Sequence, residues 1–351
     1  MTHPAAAPAS ANPVTNNNLS APRTERHPSE LNFSLPNGLQ LTCRPKPDLA
    51  AFSQKLWSGT PGIGLSALQA RAVLGGAASW SLVLNSGETS IGGAVAVVER
   101  GRVNAGLTVT MVNDLPGGEF FIAAVERFAA KLAVTSISFE LISSTEHPAV
   151  IPPLARETVR YCGERLYVVD TTNADPTKAF STNTRRNINK AKKGLIQATV
   201  TADASALKHH AHMSDDSMSR REKRGESVAM RGSQDRVKRL LASGDGRLFQ
   251  AVQDEQVLSS KLVFVLGRHG YYYDGGTSPE GMTLGASHFL MAHIIETLHA
   301  ENRVSLNLEI ASAGNLGLMR YKEGFGSQCW FVERVSADRS SAWRKLRNIV
   351  M

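Results

Sequence analysis

Lys322 stands between two glycine-bearing turns in the stretch Asn315 to Gln328, NLGLMRYKEGFGSQ. With Met319 and Phe325 facing inward, an ammonium placed between them must either reach solvent along its own stem or meet an anion. The neighbouring Tyr321 and the run Tyr271, Tyr272, Tyr273 carry phenols that can protonate a departing thiolate or ribose oxygen. Strand alternation sets Tyr272 opposite Tyr271 and Tyr273, so one set at most faces a cleft, and Tyr273 and Tyr321 are the candidates. In LNLEI, Asn307 and Glu309 project from one face of a strand, which makes Glu309 the one ionisable base with a sensible position. A carboxylate base, phenolic proton donors and a cation that can steady a developing negative charge are the parts of a polar group-transfer reaction.

Anion sites are suggested at two places. In MTLGASHF the backbone of Leu284, Gly285, Ala286 and Ser287 offers free N–H groups at a helix start, where an anion is favoured. The alternative is that Gly285 and Ala286 only let the helix pack closely on the sheet. Arg185, Arg186, Lys190, Lys192 and Lys193 crowd three turns of another helix beside Asn189, a face that fits phosphates or simply water. From Lys178 to Arg239 there are 15 Lys or Arg against 6 acids, an excess of +9 in a chain of net charge +8. Such a field attracts nucleotides, tRNA or anionic lipid head groups. His288 lies on an apolar stripe and reads as a core residue, and His209, His210 and His212 lack partner ligands, so no metal is expected.

The elements that must hold these groups follow from periodicity. Asn32 to Asp48 reads as a small hairpin, and Trp80–Leu84 with Ile91–Glu99 as a second. Phe121, Val125, Phe128 and Leu132 recur at helical spacing over Gly118 to Ala133, and SISFEL follows as a strand. The second half runs through a short helix, Ser181 to Gly194, with an apolar seam of Ile188, Ala191 and Leu195, then the strand IQATVT. Two helices follow, one capped by Asp203 and one over Ser233 to Ala242. Three strand segments, RLFQAV, VLSSKLVFVL and GYYYDGG, form a meander. A helix over Leu284 to Ala300, a strand Val304 to Ile310, a short helix through Gly314 to Lys322 and the strand QCWFVERV complete the order. SADRSSAWRKLRNIVM reads as a basic terminal helix.

At 351 residues the chain has room for two ordinary domains, and 42% apolar with 20% charged residues is a soluble globular composition. No apolar run is long enough to span a bilayer. Residues 1–30, rich in Ala, Pro, Asn, Ser and Thr and lacking a signal-peptide apolar region, read as a disordered tail. Cys43, Cys162 and Cys329 are too scattered for a disulfide framework or a zinc site. A cytoplasmic location, including the inner membrane surface, fits best.

The element order resembles the GNAT acyltransferase fold. TRRNINKAKKG, LGASHFLMAHIIETLHAENR and LMRYKEGFG resemble, in order, three segments of the FemAB-like and BioF2-like acyltransferase branch. ASWSLVLNSGETSIGGAVAVVERG has the hairpin layout that opens the first GNAT-like domain of that family. The chain departs from it at LNLEI and lacks a candidate for the coiled-coil arm of the peptidoglycan-bridge enzymes.

The resemblance implies an α/β (α+β) fold of two tandem GNAT-like domains, each a mixed, mostly antiparallel sheet flanked by helices. They span 31–170 and 171–335, with a basic segment at 336–351. It implies acyl-CoA as co-substrate and places Lys322 in the catalytic cleft, where it stabilises the tetrahedral intermediate. Arg185, Arg186, Lys190, Asn307 and Phe325 are then the substrate-binding candidates. The implied activity is N-acyl transfer to an amine of a cell-envelope or polysaccharide precursor, free or linked to a nucleotide or lipid. Two alternatives stay open: a FemAB-type enzyme that adds an amino acid from aminoacyl-tRNA to a peptidoglycan precursor, and a non-enzymatic RNA-binding protein using the basic surface.

Overall fold

The structure, a computed structural model, describes residues 30–47, 78–100, 105–112, 117–201, 203–225, 234–312 and 314–339. The amino-terminal tail, bar its last residue, and residues 340–351 of the basic segment lie outside them.

In the first half, β1 (Leu31–Ser34), β2 (Leu39–Pro45), β3 (Ala78–Ser86), β4 (Thr89–Arg100) and β5 (Ala105–Val112) pair antiparallel. Helix α1 (Glu119–Lys131) then crosses over to β6 (Ser136–Ser144), parallel to β5. The spacing that forecast α1 also seats it: Phe121, Val125 and Phe128 are fully buried, and Phe128 stands edge-on to Trp80 at 5.1 Å. A long strand, β7 (Glu157–Asp170), follows; it carries little strand pattern of its own, because its first residues are mostly polar and exposed and only Leu166–Val169 are buried together.

The second half runs α2 (Thr182–Lys193), β8 (Gln197–Thr201), α3 (Ala204–Lys223), α4 (Gln234–Ala242), β9 (Gly246–Gln253), β10 (Gln256–Leu266) and β11 (His269–Thr277). Then come α5 (Pro279–Leu284), α6 (Ala286–Ala300), β12 (Ser305–Ala311), α7 (Leu316–Glu323) and β13 (Gln328–Asp338). Ser181 and Asp203 cap α2 and α3, each accepting a hydrogen bond from the backbone three residues on. Three expectations are corrected. The helix expected from Leu284 is two helices broken at Gly285, Leu195 is 80% exposed rather than part of the α2 seam, and Ser336–Asp338 continue β13 instead of opening a helix. Both neighbours claim those last residues: Ala337 pairs with Ile137 on one side and Glu157 on the other.

All described strands form one sheet in the order β1-β2-β3-β4-β5-β6-β13-β7-β12-β11-β10-β9-β8. The two halves repeat one scheme, an antiparallel meander whose last strand pairs in parallel with the strand after a helix. Each half also lends its final strand to the other, since β13 lies beside β6 and β7 beside β12. In the second half both sheet faces are covered. Phe249, Val263 and Val265 pack with α6, whereas Leu248, Leu262 and Phe264 pack with Leu207 of α3 and Leu240 of α4.

Candidate active site

The parallel pair β11/β12 is in register over only three positions, from His269 opposite Ser305 to Tyr271 opposite Asn307. Beyond Tyr271 the strands part. On the β12 side the cause is a bulge: its register with β7 jumps from Asn307–Val168 to Ile310–Leu166, leaving Leu308 and Glu309 out of the ladder. In the first half β5 and β6 stay paired from Gly106–Ser136 to Val112–Ile142, the full length of the described strand. Among the described residues the wedge therefore belongs to the second half, and beside it opens a cavity of about 810 Å³.

The bulge is held by polar contacts. Glu309 has φ 71°, a left-handed conformation that costs a non-glycine residue about 1–2 kcal/mol. Asn307 Oδ1 accepts from Glu309 N–H at 2.7 Å, and Lys322 Nζ donates to the carbonyl oxygens of Glu309 and Ile310 at 2.8 and 2.9 Å. Lys322 is only 3% exposed. Burial pushes its amine down to about 7, against the pull of the Glu309 carboxylate. That carboxylate accepts a hydrogen bond from Tyr271 Oη at 2.7 Å and lines the cavity.

A second buried amine lies across the cavity. Lys261, in the middle of β10, donates to Ser287 Oγ at 3.1 Å, and its Nζ is 5.0 Å from the Tyr272 ring centroid and 5.7 Å from that of Tyr321. Burial lowers it to about 7, with Asp274 opposing the shift. Tyr321 Oη is 3.0 Å from Ser287 Oγ and reaches the Ser287 carbonyl at 3.2 Å. Burial raises the phenols of Tyr321 and Tyr272, and lowers His288, whose ring is 5.0 Å from that of Tyr321, to about 4.

The third wall comes from α3. Both Asp274 oxygens accept from Ser214 Oγ at 2.9 Å, and Oδ1 also accepts from Gly275 N–H at 2.7 Å. His210, fully buried, shares a hydrogen bond with Ser260 Oγ through Nδ1 at 3.0 Å. Its Nε2 is 3.9 Å from Asp274, too far for a hydrogen bond. Arg220 and Arg221 from the last turn of α3 and Arg224 at its C-cap line the cavity, and Arg220 is anchored on the carbonyl of Thr277 at 2.7 Å.

Of the residues singled out from sequence, Lys322, Glu309, Tyr321, Tyr273, Gly285 and Ser287 line this cavity. Leu284 and Ala286 do not, and Ala286 is fully buried. Gly285, at φ 79°, is also fixed by packing, because a Cβ there would be driven into the carbonyl of Asn187 on α2. Arg185, Arg186 and Lys190 are exposed on α2, outside the cavity lining, the first two bonded to Lys178 O and Asn183 Oδ1. Asn307 is spent on the bulge, and Phe325 is fully buried against Phe180 and Tyr321.

The expectation that only one tyrosine set reaches the cleft is corrected: Tyr272 and Tyr273 both line it. The register of β10 and β11 slips between Leu262 and Val263, so Tyr273 is an extra residue, and the cavity touches both faces of β11. Lys261, Asp274, His288 and the three arginines escaped the sequence reading as site residues. Lys261 had left a signal, a lysine inside the apolar run VLSSKLVFVL.

A family model described as an acetyltransferase (GNAT) domain matches residues 178–323, a span that contains every cavity residue. No curated protein sequence matches the chain. Among solved structures, FemX is similar at TM-score 0.55 with 12% identity, covering 80% of this chain and 94% of that one. A conserved protein of unknown function from Bacteroides thetaiotaomicron is similar at TM-score 0.50 with 10% identity, covering 83% and 95%. A tandem GNAT protein from the clavulanic acid biosynthesis pathway gives 0.47 with 13% identity, covering 86% and 99%. The acetyltransferase (GNAT) domain model thus spans the wedge and the cavity beside it, and the chain shares its fold with FemX.

Proposed function

We propose that the protein moves an acyl group, acetyl in the simplest case, from acyl-CoA to an amine of a cell-envelope or polysaccharide precursor. The observation that carries this reading is the cavity at the parted strands β11 and β12, walled by a cation-rich helix end on one side and by hydrogen-bonding acids and phenols on the other. Arg220, Arg221 and Arg224 supply positive charge for the donor's phosphates, and the start of α6 at Gly285 and Ser287 lies in the same wall. Glu309 accepts the proton of the attacking amine, and Tyr321 gives one to the departing thiolate. Lys322 acts on the reacting carbonyl's surroundings through the bulge it holds, and its positive charge favours the oxyanion. Met282 and Leu316, 51% and 56% exposed while lining the cavity, form an apolar lip that suits a lipid-linked acceptor. No described helix is long and apolar enough to cross a membrane.

A second reading, aminoacyl transfer from charged tRNA, is favoured by the exposed basic face of α2, where Arg185, Arg186, Lys190, Lys192 and Lys193 all reach solvent. Thiol release from acetyl-CoA across a panel of primary amines, including amino sugars and lipid-linked amines, tests the first reading. Transfer of a labelled amino acid from charged tRNA with no reaction from any CoA ester would replace it with the second.

A further inference from the structure

Tyr321 has a difficulty as a proton donor. Burial holds its phenol above the ordinary value, so a phenolate left after donation is poorly tolerated unless a proton or a positive charge reaches it at once. The structure provides one. Lys261 stands inside β10 between the buried Ser260 and the apolar run Leu262–Val265, is 3% exposed, and has Ser287 Oγ as its side-chain hydrogen-bond partner. Ser287 Oγ in turn is 3.0 Å from Tyr321 Oη, and all three residues line the one cavity. A buried amine with so few partners costs stability that an apolar residue of like shape would spare, so its placement calls for a use.

The geometry points to a proton relay from Lys261 through Ser287 to Tyr321, which restores the phenol as it protonates the leaving group; this rests on the acyl-CoA reading. The step balances as follows. The amine nitrogen forms a bond to the acyl carbon, the C–S bond breaks, and its electron pair leaves on sulfur. Sulfur takes the Tyr321 proton, Tyr321 takes that of the Ser287 hydroxyl, and Ser287 takes one from the Lys261 ammonium. The amine's surplus proton passes to Glu309 and then to water, and water recharges Lys261. Lys261 and Ser287 are thus positioning residues that act through Tyr321. The groups that set the charge on Lys261 are Asp274 and Tyr272 of β11, His288 of α6, Tyr321 of α7, and, through Asp274, His210 of α3.

The test compares full-length wild type with Lys261→Met, Ser287→Ala and Ser287→Thr, using the amine that reacts fastest in the panel. Two donors are used: acetyl-CoA, and S-(4-nitrophenyl) thioacetate, whose thiolate leaves without a proton. With acetyl-CoA, Lys261→Met and Ser287→Ala should lose on the order of 10²-fold in kcat with little change in KM, and Ser287→Thr should restore the rate. With the nitrophenyl thioester the deficit should vanish; an equal deficit with both donors overturns the relay. A titration that needs no acceptor runs beside it, following the Lys261 resonance in ligand-free protein labelled with ε-13C lysine and assigned by its loss in Lys261→Met. Ser287→Ala and Tyr321→Phe should each displace its midpoint, and a midpoint unmoved by both overturns the relay whatever amine is found. If wild type gives no heat with acetyl-CoA or CoA, the donor reading falls instead, and the titration still decides whether the three groups are coupled.

Discussion

Lys322 Nζ lies 2.8 Å from the carbonyl oxygen of Glu309, a residue at φ 71° in the bulge that parts β12 from β11. The lysine therefore shapes the cleft as well as charging it. Lys322→Ala leaves two main-chain carbonyls short of a donor and opens a void, so it should cost roughly 2–5 kcal/mol of stability. Urea unfolding measures this. Lys322→Met, which fills the space without a donor, should recover part of that loss but none of the turnover.

Glu309→Gln keeps the size of the side chain and its Tyr271 contact while removing the base. Turnover should fall on the order of 10²-fold with an unchanged melting temperature. If Asp274→Asn causes the larger loss at matched stability, the proton acceptor is on β11 and not on β12.

The two buried lysines make stability depend on pH with a defined sign. Below about 7 both are protonated in the folded and unfolded chain alike; from about 7 toward 10.5 the unfolded chain holds protons that the folded one has lost. Folding is then favoured increasingly as pH rises, and from about 9, where unfolded Cys43 begins to ionise while the folded thiol is pushed up to about 12 by burial, the rise becomes shallower. His288, held at about 4, adds a rise between about 4 and 6.5. Thermal melts from pH 7 to 9 should show the increase, and Lys261→Met should flatten its share of it.

Gly285→Ala should destabilise the protein by roughly 2 kcal/mol or more. It imposes a left-handed conformation on alanine and drives the methyl into Asn187. Chemical denaturation checks this, and repulsion between α2 and α5/α6 is the expected cause.

Much of this was legible in the sequence wherever one period dominated. Phe121, Val125 and Phe128 announced α1, Asp203 and Ser181 their helices, and the LMRYKEGFG segment the lysine and phenol that the cavity contains. What escaped depended on contacts distant in sequence. β7 is recognised by its neighbours β12 and β13 and has little alternation of its own. The roles of Asn307 and Phe325 were hidden because the bulge at Leu308–Glu309 and the packing of Phe180 cannot be read from spacing. Asp274 became a site residue only through the slip that made Tyr273 an extra residue, since strict alternation describes neither strand there.

Calorimetric titration of the full-length protein with acetyl-CoA tests the central claim most directly, that the cavity at the parted strands holds an acyl-CoA donor. The account predicts one saturable site, weakened tenfold or more (about 1.4 kcal/mol) by Arg221→Glu in the cavity wall. No saturable heat, or an affinity that Arg221→Glu leaves unchanged, would contradict it.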